Sequence, residues 1–171
     1  MINFTKYFSW GDTIGKNKNG SGSYSFSEAN YNAGVCGSGH NLSGDIPQGN
    51  ATYDAARANM GSPWKIPTYM QSYEMMSGTN STWTTINGVN GRKFTSKTDS
   101  SKYVFFPAGG HYNNTTHNFV AVVGYYLLTL YDSSQVIYVQ FSSHGAGISG
   151  NTSRYIGLSV RAIQICSFNS L

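Results

Sequence analysis

Charge is scarce in this sequence: Asp, Glu, Lys and Arg make up 11% of its 171 residues, against roughly 25% in ordinary soluble domains. The formal net charge is +4, yet nine of the eleven basic residues precede Tyr103: Lys6, Lys16, Lys18, Arg57, Lys65, Arg92, Lys93, Lys97 and Lys102. Apart from a cluster at 92–102 they are scattered. They form no stripe that could neutralise a run of phosphates, which argues against a nucleic-acid partner. The seven acids (Asp12, Glu28, Asp45, Asp54, Glu74, Asp99 and Asp132) also stand apart, with no spacing that suggests a catalytic carboxylate pair. The two cysteines, Cys36 and Cys166, are in no C-x-x-C pair, which argues against a metal centre. Cys166 ends the apolar run AIQIC and reads as a buried free thiol, with a disulfide to Cys36 as the alternative. No apolar run reaches the length of a membrane span. The opening MINFTKYFSW lacks the apolar core of a signal peptide. For work outside a cell the expectation is therefore export by another route, carriage on a particle, or prior loss of a leader.

What fills the gap is Gly (20 residues), Tyr (13) and many Ser, Asn and Thr. Aromatic residues reach 15%, more buriable surface than a disordered chain carries. The length suits one domain, residues 1–171, with a real core. Residues 15–50 are Gly/Ser/Asn-rich and read as a long connection, with short strands near Tyr24–Phe26. In YDAARANM, Asp54 is placed to cap a short helix and Gly61 to end it. A second helix starts at Pro67–Thr68 and stops at Gly78, with Tyr69, Met70, Tyr73 and Met76 as an apolar face expected in the core. From residue 81 the runs STWTTI, RKFTS, KYVFFPAGG, VAVVGYYLLTLYD, QVIYVQFSS and IGLSVRAIQI read as strands split by turns such as NGVNG and DSS. Two early helices and a later antiparallel sheet make an α+β domain. In GISGNTSRYIGLSVRAIQIC, the first half reads as a loop and the second as the best-defined strand.

Seven segments occur in a telling order: YFSWGD (7–12), DAARANMGSPWKIPT (54–68), WTTINGVNGRKFTS (83–96), VFFPAGG (104–110), GYYLLTLYD (124–132), VIYVQF (136–141) and RYIGLSVRAI (154–163). Together they resemble the C-type lectin-fold domains of gut bacteria and phages, the major paralogous domains of Fibrobacter and Bacteroides. That group includes variable proteins of diversity-generating retroelements. The resemblance implies a C-type lectin-like fold, two helices with small antiparallel sheets and long loops, presenting an exposed surface near the C-terminus. In retroelement members, adenine-specific mutagenesis diversifies that surface, and Asn codons cannot become Lys, Glu, Gln, Met or Trp. Residues 142–158 contain none of those types. Relatives carry Trp and serines after GYY, where this chain has Leu127, Leu128 and Thr129. The resemblance further implies that Arg154 and Arg161 belong to the scaffold, hydrogen-bonded to loop carbonyls.

Enzymatic chemistry finds no support in the motifs. No serine sits in a G-x-S-x-G elbow. His40, His111, His117 and His144 lie in Gly/Asn/Ser-rich surroundings and read as exposed loop residues. Lectin-fold enzymes that use reactive cysteines have no recognisable flanking motif around Cys36 or Cys166. The EPN, QPD and WND segments of calcium-dependent lectins are missing, so a calcium site of that kind is not expected; no cofactor is implied. The chain reads as a non-enzyme. Its Tyr, Ser, Asn and Gly are the types that antibody paratopes favour, and low charge avoids desolvating ions on recognition. The expected function is ligand binding or receptor recognition of a protein or glycan on a target cell, through residues 111–117 and 125–158 of a candidate variable region at about 111–158. Candidate surface residues are Tyr125, Leu127, Ile137, Tyr138, Gln140, Ser142, His144, Ala146, Ile148, Asn151, Thr152, Tyr155, Ile156 and Leu158. Gln140 fits mutagenesis least, because an Asn codon cannot yield Gln. The alternative is a fixed bacterial surface adhesin or phage fibre-tip domain of the same fold. Either reading places the protein on a virion, in the extracellular space or on a bacterial surface.

Overall fold

The computed structural model describes residues 6–16, 24–132 and 134–164. Their architecture is α+β, with short helices followed by three small antiparallel sheets. Helix α1 (Glu28–Asn32) is capped by the Ser27 hydroxyl. Asp54 caps α2 (Ala55–Met60), accepting from the Ala56 and Arg57 amides, and left-handed Gly61 ends it. The same fully buried carboxylate also accepts from the Gly49 and Ile66 amides. One side chain thus ties the helix to the segments before and after it. Helix α3 (Tyr69–Ser77) opens with a capping box: Thr68 accepts from the Gln71 amide, and the Gln71 side chain accepts from the Thr68 amide.

The expected core face of α3 is corrected by the structure. Tyr69, Met70 and Tyr73 are exposed at 38%, 57% and 53%, whereas Ser72 is buried. The layer beneath is already filled by Phe94, Phe106 and Phe141, so the helix rests on small Ser72 and on the flexible Met75 and Met76. Apolar spacing found a stripe on the helix; the space left below decided which side could be buried.

Strands β1 (Thr79–Ile86), β2 (Val89–Ser96) and β3 (Tyr103–Pro107) form the first sheet in that order. Asn87 and Gly88, both at positive φ (50° and 77°), make its two-residue hairpin turn. The ribbon of β4 (His111–Asn113) and β5 (Thr116–Asn118) leads to the third sheet: β6 (Gly124–Asp132), β7 (Gln135–Ser142) and β8 (Gly145–Thr152). That sheet is buried over most of both faces. Leu127, Val136 and Tyr138 pack with Phe8, Trp10, Ile66 and Leu158, while Tyr126, Leu128, Val139 and Phe141 pack with Phe94 and Phe106. Gly124 lies where any Cβ would enter the Phe141 ring, so that crossing requires glycine.

The C-terminal expectation is reversed. Residues 147–152, which read as loop, belong to β8. Its Ala146 and Ile148 oppose Phe141 and Val139, while Gly147 and Ser149 oppose Gln140 and Tyr138. The period of two is present, but small residues on both faces hide it from a hydrophobicity pattern. Residues 156–163 of the run that reads as the best strand instead make single bridges: Gly157 to Tyr112, Leu158 to Phe8, Ser159 to Tyr126 and Ile163 to Lys65. Their alternation is real, since Val160 and Ala162 join the Trp10 core while Arg161 lies over the Phe106 ring at 5.3 Å. Ile165 and Cys166 lie outside the described residues. The expected strand near Tyr24–Phe26 is reduced to one bridge, Phe26 to Asn114.

Candidate functional site

Cross-strand partners share a face of a sheet, and this rule sorts the third sheet. Tyr125 opposes Gln140, Leu127 opposes Tyr138, and Tyr138 and Gln140 in turn oppose Ser149 and Gly147. Leu127 and Tyr138 are buried on this side, but β8 sets only small residues against Tyr138 and Gln140, which leaves an opening along β7 and β8. Between Val136–Thr152 and Ile137–Gly150 the register slips by one residue, and Asn151 is the extra one. A bulge of this kind re-aims a side chain. Here Asn151 is exposed and its Oδ1 accepts from the Tyr138 hydroxyl, which fixes the amide orientation.

The result is a cavity of about 180 Å³ lined by His111, Tyr125, Tyr138, Gln140, Asn151, Thr152, Ile156 and Leu158. At ~30 Å³ per water molecule it holds roughly six, and it falls below the ~300–1,000 Å³ of small-molecule sites. It is a socket on a larger surface. A shallower groove continues from it along Gln140, Ser142, His144, Gly147 and Ser149. No lining residue is Lys, Arg, Asp or Glu. Burial, then the neighbouring His117, pushes the His111 imidazole below its ordinary range, so it is neutral at pH 7. Burial, then Tyr138, pushes the Tyr125 hydroxyl up. His111 and Tyr125 meet edge to face at 4.8 Å, and His111 Nδ1 is buried with no hydrogen-bond partner among the described residues. The site offers hydroxyls, amides, an imidazole and aromatic walls at constant neutral charge.

Of the fourteen candidates, Tyr125, Tyr138, Gln140, Asn151, Thr152, Ile156 and Leu158 meet in this socket. Ser142 and exposed His144 line the adjoining groove. Exposure is corrected for four of them: Leu127, Tyr138, Ile156 and Leu158 are 1%, 3%, 6% and 2% exposed. Tyr138, Ile156 and Leu158 form the floor of the socket; Leu127 is core. Ile137, Ala146 and Ile148 lie on the opposite face, half-buried against the Phe94 and Phe141 layer, and Ala146 and Ile148 also line the adjoining groove. Half-buried Tyr155 packs on the Trp10 core, its carbonyl accepting from the Ser9 hydroxyl. Ile137, Tyr138 and Gln140 read alike as surface candidates, but pairing sends Ile137 to the side opposite Tyr138 and Gln140.

The histidines are corrected likewise: only His144 is exposed, and His40, His111 and His117 are half-buried. His117 stacks on Tyr112 at 4.2 Å and its Nε2 lies 2.9 Å from the Tyr7 hydroxyl, bracing the wall behind the socket. Arg154 donates to the Leu42 carbonyl at 2.6 Å and lies over the rings of Trp10, Tyr31 and Tyr131, a scaffold position. Cys36 is a buried free thiol. Two features are only partly legible in the sequence: His111 falls in the expected contact segment 111–117 but reads there as an exposed loop residue, and Val120–Val122 of the apolar loop read as the start of a strand. The alternation of YYLLTLYD with VIYVQF carried the signal that Tyr125 and Gln140 share a side.

No family model, curated protein or solved structure matches the chain. Among the described residues no helix is long and apolar enough to cross a membrane, and no three of His, Cys, Asp and Glu come together to hold a metal ion.

Proposed function

We propose that this chain is a C-type lectin-like recognition protein that binds a protein or glycan on a target cell through the open face of its third sheet, and that the face is diversified as in retroelement variable proteins. The observation that carries this reading is convergence: seven residues spread over 125–158 line one uncharged socket. Everything behind them is fixed by packing, with Val139 and Phe141 buried on the other side of the same strand. A surface can change its side chains safely when its backbone is held from behind. Chemistry has less support, since the socket gathers no carboxylate, thiol or lysine. The larger concavity between α3 and residues 161–164 gathers only Leu127 of the candidates.

The test is the gene's neighbourhood and its sister isolates. The expected finding is a near-identical repeat beside a reverse-transcriptase gene, differing from this one only at adenines. Its differences should fall on codons for Tyr125, Ser142, His144, Asn151 and Thr152 and spare Val139 and Phe141. If no such repeat exists and the face is invariant among isolates, the diversified reading is lost and a fixed adhesin or fibre-tip domain takes its place.

A further inference from the structure

Beside the socket stands an apolar ledge, between the expected contact segments 111–117 and 125–158. Phe119, Val120 and Val122 are exposed at 55%, 49% and 56%. The Phe119 ring lies 5.8 Å from His111 and 6.5 Å from Tyr125, so ledge and socket are one continuous surface. The turn that lifts these side chains is unusual. Phe119 and Ala121 both have left-handed backbones, with φ of 56° and 61°, a region that residues with a Cβ, and bulky ones above all, rarely adopt. The turn is nevertheless held on several sides. The Ala121 amide donates to the Ala108 carbonyl, the Val122 and Val123 amides to Phe119, and the Gly110 amide to Val123; the Asn90 side chain donates to the Ala121 carbonyl. Gly110, at φ 66°, passes so close beneath Asn118 and Val120 that a Cβ would strike their backbone. A costly backbone, fixed by its neighbours, is thus used to hold three large apolar side chains in water.

We infer that the Phe119–Val122 ledge is the constant apolar anchor of the recognition surface and that the partner is a protein, which seats an uncharged apolar patch on the ledge and polar groups in the socket. This rests on the reading of the socket as a recognition site and narrows its partner class. Two aliphatic valines beside a phenylalanine gain from water only against another apolar surface, the arrangement found at the centre of protein interfaces with a polar surround. A glycan would stack a C–H face on the Phe119 ring, but its hydroxyl rim would leave Val120 and Val122 without an apolar counterpart. A lipid surface is disfavoured because neither ledge nor socket contains a Lys or Arg to meet anionic headgroups. Rigid presentation removes the ordering cost that a mobile apolar loop would incur on binding.

The experiment uses the full chain against a displayed random-peptide library, a glycan array and phosphatidylcholine vesicles, with sedimentation of the protein alone. Binders are re-measured on three ledge variants, Phe119→Asn, Val120→Ser and Val122→Ser, and on the socket variant Asn151→Ala. Asparagine tolerates the left-handed backbone, so Phe119→Asn removes the ring while keeping the turn, and unfolding midpoints check that every variant is folded. The expected result is peptides with apolar centres whose affinity falls at least tenfold on each ledge variant and on Asn151→Ala. The inference is overturned by any of four results: binders within twofold of wild type on the ledge variants, binding confined to glycans or vesicles, self-association that Phe119→Asn abolishes, or a library that yields no binder. Loss on Asn151→Ala alone defeats the ledge and leaves the socket reading intact. Insensitivity to both sets of variants defeats both.

Discussion

The two faces of the third sheet use the same strands for opposite purposes. On one face Tyr126, Leu128, Val139 and Phe141 interlock with Phe94 and Phe106, with ring centroids at 5.0–6.4 Å. On the other, Leu127, Val136 and Tyr138 are buried too, but β8 offers only Gly147 and Ser149 opposite Gln140 and Tyr138, and a bulge turns Asn151 outward, so this face is filled at one end and open at the other. Side chains one residue apart therefore differ in kind: Phe141 is 1% exposed, and Gln140 lines the socket. Where a face is filled, a substitution is felt as stability; where it is open, it is felt as binding. The period of two in a strand separates the functions without separating them in sequence.

The most severe way to test the contrast is Phe141→Ala beside Gln140→Ala. The first empties the meeting point of three rings and is expected to cost about 3–5 kcal/mol in denaturant unfolding. The second is expected to change stability by about 0.5 kcal/mol or less and to alter ligand binding instead. Equal losses would erase the distinction between the faces.

A second contrast involves charge. The socket contains no carboxylate, while the frame buries two, Asp54 and Asp12: Asp12 is 1% exposed, accepts from the Gly39 amide through Oδ1, and has a pKa pushed up to about 6, chiefly by burial. Its folded pKa exceeds its unfolded value, so between about pH 4 and 6 the folded state binds more protons. Ionised Asp12 therefore destabilises the fold above pH 6, and stability rises as pH falls towards 4. Asp12→Asn keeps an oxygen for Gly39 and removes that slope. It should raise stability at pH 7 by up to about 3 kcal/mol, with ligand affinity at the socket unchanged. Urea titrations from pH 4.5 to 7.5 read the slope, and a slope that persists in the variant assigns it to another group.

The smallest expected effect falls where sequence and structure disagree. Met70→Ser on α3 is expected to cost about 0.5 kcal/mol or less, because Met70 is exposed. A core residue would cost about 2–5 kcal/mol on comparable truncation, so one thermal melt separates the two placements.

Much of the frame was legible. Asp54, Gly61, Thr68 and Gly78 mark helix ends because caps are local chemistry, satisfied by neighbours within three or four residues. The Asn-Gly turn at 87–88 and the aromatic strands around it were equally plain. The site was legible only as a region. Tyr125, Gln140, Asn151 and Thr152 lay within the expected span, but so did Leu127, which is buried in the core, and Ile137, which faces the other way. Strand β8 escaped because Gly, Ala and Ser on both faces produce no contrast, and the ledge escaped because FVAVV looks like any buried strand.

By itself the sequence determined the α+β class, the capped helices, the hairpins and a surface of neutral polar and aromatic groups. These depend on backbone propensity, capping and composition, which act over a few residues. The tertiary structure alone decided which face of each element is buried. It turned α3's apolar stripe outward, set Asn151 in a bulge against Tyr138, and raised Phe119, Val120 and Val122 beside the socket. Burial depends on the space that distant residues leave unfilled, and no local pattern encodes that volume.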